Sequence, residues 1–263
     1  MKLSVEILDH IFSFLGLNNL ETLRACSEDP VLSPIVERHL FYSLIVSINH
    51  RWVDPYYTFK PDMLSKLVSD NPRILYHVRL LRIDIQREAD GPFEEFAKTL
   101  VKFPVLEYIV LTASNSQDSA TWPDVFRAAL EDRLNLPTIK GVHLIGKHFP
   151  LSLFDKCKNM KKLCLLASHG GEGQDLFEIQ PKLRSLTMCT GNISPPFLAW
   201  IKLNIKELQS LKCGLALSEG QKLLSEFLGV CSESLKELDI NLAETSCKIY
   251  FFSFDGHTLT YTR

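Results

Sequence analysis

The stretch with the most suggestive chemistry is SHGGEG, residues 168 to 173. Successive backbone N–H groups of a His-Gly-Gly run can stabilise an oxyanion in lipase-like hydrolases, but only beside a nucleophile elbow of the form G-x-S-x-G. The chain has no such elbow, and it lacks the Gly-Lys-Ser/Thr element of a phosphate loop. The run therefore reads as a flexible loop. His143 and His148 flank a strand end and read as surface or hydrogen-bonded side chains, not metal ligands. Cys26, Cys157, Cys164, Cys189, Cys213, Cys231 and Cys247 are scattered, with no C-x-x-C. That spacing does not suit zinc. It fits reduced, mostly buried thiols of an intracellular protein, cytoplasmic, nuclear or both. No paired carboxylates and no nucleophile–base arrangement stand out. The expectation is a protein that is not an enzyme and holds no cofactor and no metal.

Chemistry being absent, recognition must come from the elements. The chain has 263 residues, 46% of them hydrophobic, enough for a substantial core. Its 29 basic and 31 acidic residues give a formal net charge of −2. Nucleic-acid binders usually carry a basic excess, so no nucleic-acid partner is expected. No apolar run approaches the roughly 20 residues that span a bilayer. Glu6, Asp9 and His10 interrupt any signal-peptide core, and the acidic polar face does not suit a membrane surface.

The leading segment is an amphipathic helix. Ile7, Leu8, Ile11, Phe12 and Leu15 fall on one stripe, with Ser4 as N-cap and Gly16 as the stop. A second helix starts at Asn18, with Glu21 three residues on, and ends at Asp29-Pro30. A third starts at Ser33-Pro34, with Ser33 as cap, and continues through Phe41. Three short helices enclose little core. The apolar stripe either packs on this same chain or meets a second protein.

The segment resembles an F-box, whose pattern runs roughly Leu-Pro-x-Glu-Leu-Leu-x-x-Ile-Phe-x-x-Leu, then a polar turn and Leu. Here Leu3, Glu6, Ile7, Leu8, Ile11, Phe12, Leu15 and Leu20 match it; Ser4 stands for the proline, and the later tryptophan is missing. Residues 34 to 46 resemble the segment that follows F-boxes in many fungal proteins. The resemblance implies docking on the Skp adaptor of an SCF-type (Skp–cullin–F-box) ubiquitin ligase. The contacting residues it implies are Leu3, Val5, Ile7, Leu8, Ile11, Phe12, Leu15 and Leu20.

Beyond Phe41 the register changes. SLIVSI, residues 43 to 48, alternates like a strand. A pattern of apolar, two residues, apolar, one residue, apolar then recurs, at Val78-Leu81-Ile83, Leu106-Ile109-Leu111, Ile139-Val142-Leu144, Met160-Leu163-Leu165, Leu183-Leu186-Met188 and Leu235-Leu238-Ile240. A degenerate copy starts at Ile205, with Leu208 and Ser210. This is the core of a leucine-rich repeat. Helical segments are expected from Pro61, Phe93, Trp122 and Glu219. Stacked units bury what one alone cannot, which gives a curved solenoid. The alternative is an α/β sheet whose strands share a pattern. Asp255-Gly256 marks a hairpin, expected to cap the last repeat.

The expected fold is α/β: a short three-helix F-box over 1–42, then an irregular leucine-rich-repeat solenoid with a curved parallel sheet over 43–263. The expected function is a substrate-recognition adaptor. It would join the Skp adaptor and cullin complex through the front helices and an unknown target protein through the repeats. The alternative is a ligase-independent scaffold whose front helices cap the solenoid. Lys156, Lys158, Lys161 and Lys162 form a basic cluster that could meet an acidic partner, and Trp52, Tyr56 and Tyr57 a possible aromatic contact.

Overall fold

The computed structural model describes residues 7, 11, 32–48, 58–85, 92–113, 122–146, 149, 153–154, 157–166, 181–189, 195–215, 217–242, 251–255 and 258–262. Helix α1, Ser33–Leu40, leads into strand β1, Ser43–Ile48. There follow β2 (Thr58–Phe59), α2 (Pro61–Asp70), a short 3-10 helix (Pro72–Tyr76) and β3 (Leu80–Ile85). Next come α3 (Phe93–Leu100), β4 (Tyr108–Ala113), α4 (Asp124–Leu134), β5 (Gly141–Ile145), β6 (Lys162–Leu166) and β7 (Ser185–Cys189). Helix α5 (Pro195–Asn204), β8 (Ser210–Leu215), α6 (Leu217–Cys231) and β9 (Glu237–Leu242) complete this part.

These nine strands make one sheet, in the order β2-β1-β3-β4-β5-β6-β7-β8-β9, with every pairing parallel. From β4 onward each strand lies beside its predecessor in the chain. Parallel neighbours need crossover segments, and here several of those are helices. Strands β10 (Phe251–Asp255) and β11 (Thr258–Thr262) form a separate antiparallel hairpin with Asp255 opposite Thr258, at the Asp-Gly turn signal.

The repeated apolar positions explain the sheet. In β3 to β8 the inward residues stack in register: Leu81, Ile109, Val142, Leu163, Leu186 and Leu211 in one row. Ile83, Leu111, Leu144, Leu165, Met188 and Cys213 form the next. All are buried, in one cluster with Leu64, Phe96, Phe126, Trp200 and Phe227 from the helices. Leu106, Ile139, Met160, Leu183 and Leu208 enter the same cluster just ahead of their strands. Polar side chains tie neighbouring repeats where the chain turns. Thr138 Oγ1 donates to the Leu106 carbonyl at 2.6 Å, and Ser234 Oγ donates to that of Leu208 at 2.8 Å.

Four details differ from expectation. The copy framed on Ile205 belongs three residues later, because Leu211 pairs with Leu186 and Cys213 with Met188. Leu208-Leu211-Cys213 is thus a full copy, and Ile205 is a buried turn residue ahead of it. A further copy, Phe41-Leu44-Val46, leads the series, since Leu44 and Val46 pair with Leu81 and Ile83. Ser33 is the first residue of α1, not its cap; Leu32 holds that place with no side-chain hydrogen bond. Helix α5 was not expected at all. Its Phe197 and Trp200 stack with Phe154, with ring centroids 5.0 to 5.7 Å apart.

Candidate binding face

Side chains alternate across a strand, so the residues between the inward ones face away from the core cluster. Register carries them across the sheet in rows. The central row reads Ile45, Arg82, Val110, His143, Cys164, Thr187, Lys212, Asp239. Its middle is closely set: Val110, His143 and Cys164 are each buried. Its flanks are charged. At β3, Arg82 Nε donates to Asp84 Oδ1 at 2.8 Å.

Gly141 makes room in this face. A Cβ there would lie 2.9 Å from the Tyr108 ring. The ring sits edge-on to His143, with centroids 6.4 Å apart, and the Lys162 ammonium lies 5.9 Å from its centroid. Burial first, then the Lys162 charge, holds the His143 imidazole down to a pKa of about 4. The floor of the face is therefore neutral at physiological pH.

The charged groups collect at the N-terminal edge. The residue before each strand donates its N–H to the carbonyl of the equivalent residue one repeat earlier. The ladder runs from Tyr42 to Arg79, Glu107, Lys140, Lys161, Arg184, Gln209 and Lys236, with N···O distances of 2.7 to 2.9 Å. Glu107 accepts from Lys140 at 2.7 Å and lies 3.7 Å from Arg79. That hydrogen bond is the main reason the Lys140 pKa is raised. Glu207 takes Lys182 at 2.5 Å and is held below the usual carboxylate range chiefly by it.

Of the expected adaptor-binding residues, Ile7 and Ile11 are helical, one turn apart, and 49% and 43% exposed. Leu3, Val5, Leu8, Phe12, Leu15 and Leu20 lie outside the described residues, as do Trp52, Tyr56, Tyr57, His148, Lys156 and the SHGGEG run. Lys158, Lys161 and Lys162 are exposed at the sheet edge. Cys157, Cys164, Cys213 and Cys231 are buried, and Cys189 is partly exposed; Cys26 and Cys247 lie outside the described residues. Burial, with smaller contributions from Cys231, Cys189 and Asp239, pushes the Cys213 thiol up to about 12, so it does not ionise near neutrality. Among the described residues no group of three His, Cys, Asp or Glu side chains could hold a metal ion, and no helix is long and apolar enough to cross a membrane.

The central row was missed in the sequence. Its members come from segments some twenty to forty residues apart, and only pairing register aligns them. The available signal was the identity of the residue between the second and third apolar positions of each copy. Comparison with known proteins found no family model that matches this chain and no matching curated protein.

Proposed function

We propose that the chain is the substrate-recognition subunit of an SCF-type ubiquitin ligase. Its leading helices dock on a Skp adaptor, and its leucine-rich repeats offer the second face of the sheet to a target protein. It breaks and makes no bonds itself. It raises the concentration of the target near the ubiquitin-charged enzyme that the cullin complex brings.

The observation that carries this reading is the pair Ile7 and Ile11. Two large apolar side chains one helical turn apart remain about half-exposed, while the core cluster of the repeats closes without them. That exposure leaves them accessible to another polypeptide, as the docking reading requires. The F-box-like pattern of the leading sequence is what points to the Skp adaptor as that polypeptide.

Recovery of the Skp adaptor tests the proposal. The intact chain is expected to carry the adaptor through purification. A chain lacking residues 1–31, which keeps α1, is expected to lose it. Ile11→Asp should also lose the adaptor, with a stability change within about 0.5 kcal/mol, as for other exposed positions. Equal recovery from all three ends the receptor reading. A drop of several degrees in the melting temperature of Ile11→Asp, with no adaptor bound by any form, identifies the helices as a cap on a ligase-independent scaffold.

A further inference from the structure

The binding face has a one-sided electrostatic edge. The described residues between Lys140 and Cys189 include six basic side chains, Lys140, Lys158, Lys161, Lys162, Lys182 and Arg184; over the same span the full sequence holds eight Lys and Arg against four Asp and Glu. This is a local excess in a chain whose net charge is −2. Lys140, Lys161 and Arg184 are consecutive rungs of the edge ladder. Lys140 and Lys182 are paired with Glu107 and Glu207. Lys158, Lys161 and Arg184 are exposed and make no ion pair with any described residue.

We infer that this edge binds a short acidic segment of the target polypeptide, lying across β5, β6 and β7. The inference rests on the receptor reading above and gives the target a chemistry. Neighbouring strands are about 4.8 Å apart, so Lys140 to Arg184 spans roughly 10 Å. An extended peptide sets same-side side chains about 6.5–7 Å apart, so two or three carboxylates reach all three rungs. The floor beside them is neutral: His143 is uncharged and Cys164 and Thr187 carry no charge. Carboxylates stand at both ends of the patch, Glu107 on one side and Glu207, Glu237 and Asp239 on the other. A long polyanion such as nucleic acid would run into them, whereas a short acidic segment fits between them.

Fluorescence anisotropy with the purified full chain tests this. The probe is a labelled peptide with an Asp-Glu-Asp-Glu centre, and its control has Asn and Gln at those places. The acidic peptide should bind and the amide peptide should not. Charge reversal, Lys161→Glu with Arg184→Glu, should weaken binding at least about tenfold and flatten its salt dependence. Neutralisation, Lys161→Gln with Arg184→Gln, should weaken it less and keep the melting temperature. Equal binding of both peptides, or no effect of either double variant, overturns the inference. So does a single-stranded oligonucleotide that binds more tightly than the peptide. Adaptor recovery from the same variants separates the two readings. Recovery kept while peptide binding fails sinks only the acidic segment; peptide binding kept while recovery fails sinks only the receptor role.

Discussion

His143 ties the candidate binding face to acid. In an unfolded chain its imidazole takes a proton near its ordinary pKa of about 6.5, whereas in the fold burial and Lys162 delay this until about 4. Between those values the unfolded chain binds more protons than the folded one. Stability is therefore complete above the window and is lost as pH falls through it. From pH 7 to pH 5 the loss from this residue is about 2 kcal/mol, at about 1.4 kcal/mol per unit. The groups facing it are Tyr108 from β4, and Lys162 and Cys164 from β6. Urea denaturation of His143→Gln at both pH values should show that much less acid sensitivity, and an unchanged difference would assign the effect elsewhere. Sequence reasoning placed His143 as a surface or satisfied residue, and the fold buries it. Leu144 was legible because its spacing to Ile139 and Val142 repeats along the chain. His143 was not, because what surrounds it are Tyr108 and Lys162, brought alongside only by strand pairing.

Amphipathic contrast made some elements legible. Helix α2 is found at the expected bounds, Pro61–Asp70, where proline starts the helix and Leu64 and Val68 mark its inward face. Helix α5 gives no such contrast. Its PPFLAWIKLN is apolar nearly all round, so no stripe separates inside from outside. Yet Phe197, Trp200 and Ile201 are all buried. Trp200→Ala is expected to cost about 3–5 kcal/mol in a urea titration, the usual loss for a large buried aromatic side chain. A cost near that of a surface change would mean that the Phe154, Phe197 and Trp200 stack does not hold α5. The misframed copy at Ile205 has a related cause. Ile205 and Leu208 are both apolar and three apart, so two overlapping frames fit the first two positions. Only the pairing of Leu211 with Leu186 chooses between them. Strand β2, two residues long on the outer edge of β1, is too short for any period to reveal.

At the scale of the molecule, the core is closed in the middle and thins toward β9. Leu211 and Leu238 are register partners on adjacent strands, both at the second apolar position of a repeat. Leu211 is fully buried, while Leu238 is 46% and Ile240 37% exposed. Leu211→Lys should therefore cost more than about 3 kcal/mol, since it places an unpaired charge in the core. Leu238→Lys should cost less than about 1 kcal/mol, as at other accessible sites. Similar thermal shifts for the two variants would mean that β9 is sealed as tightly as β8. The gradient also reaches the binding face. In a stack where each layer leans only on its neighbours, thermal fraying begins at the least supported end. Breathing of the ninth strand would disturb Asp239 and leave the rungs at Lys140, Lys161 and Arg184 in place, so the proposed acidic-segment site sits several layers upstream of the part that melts first.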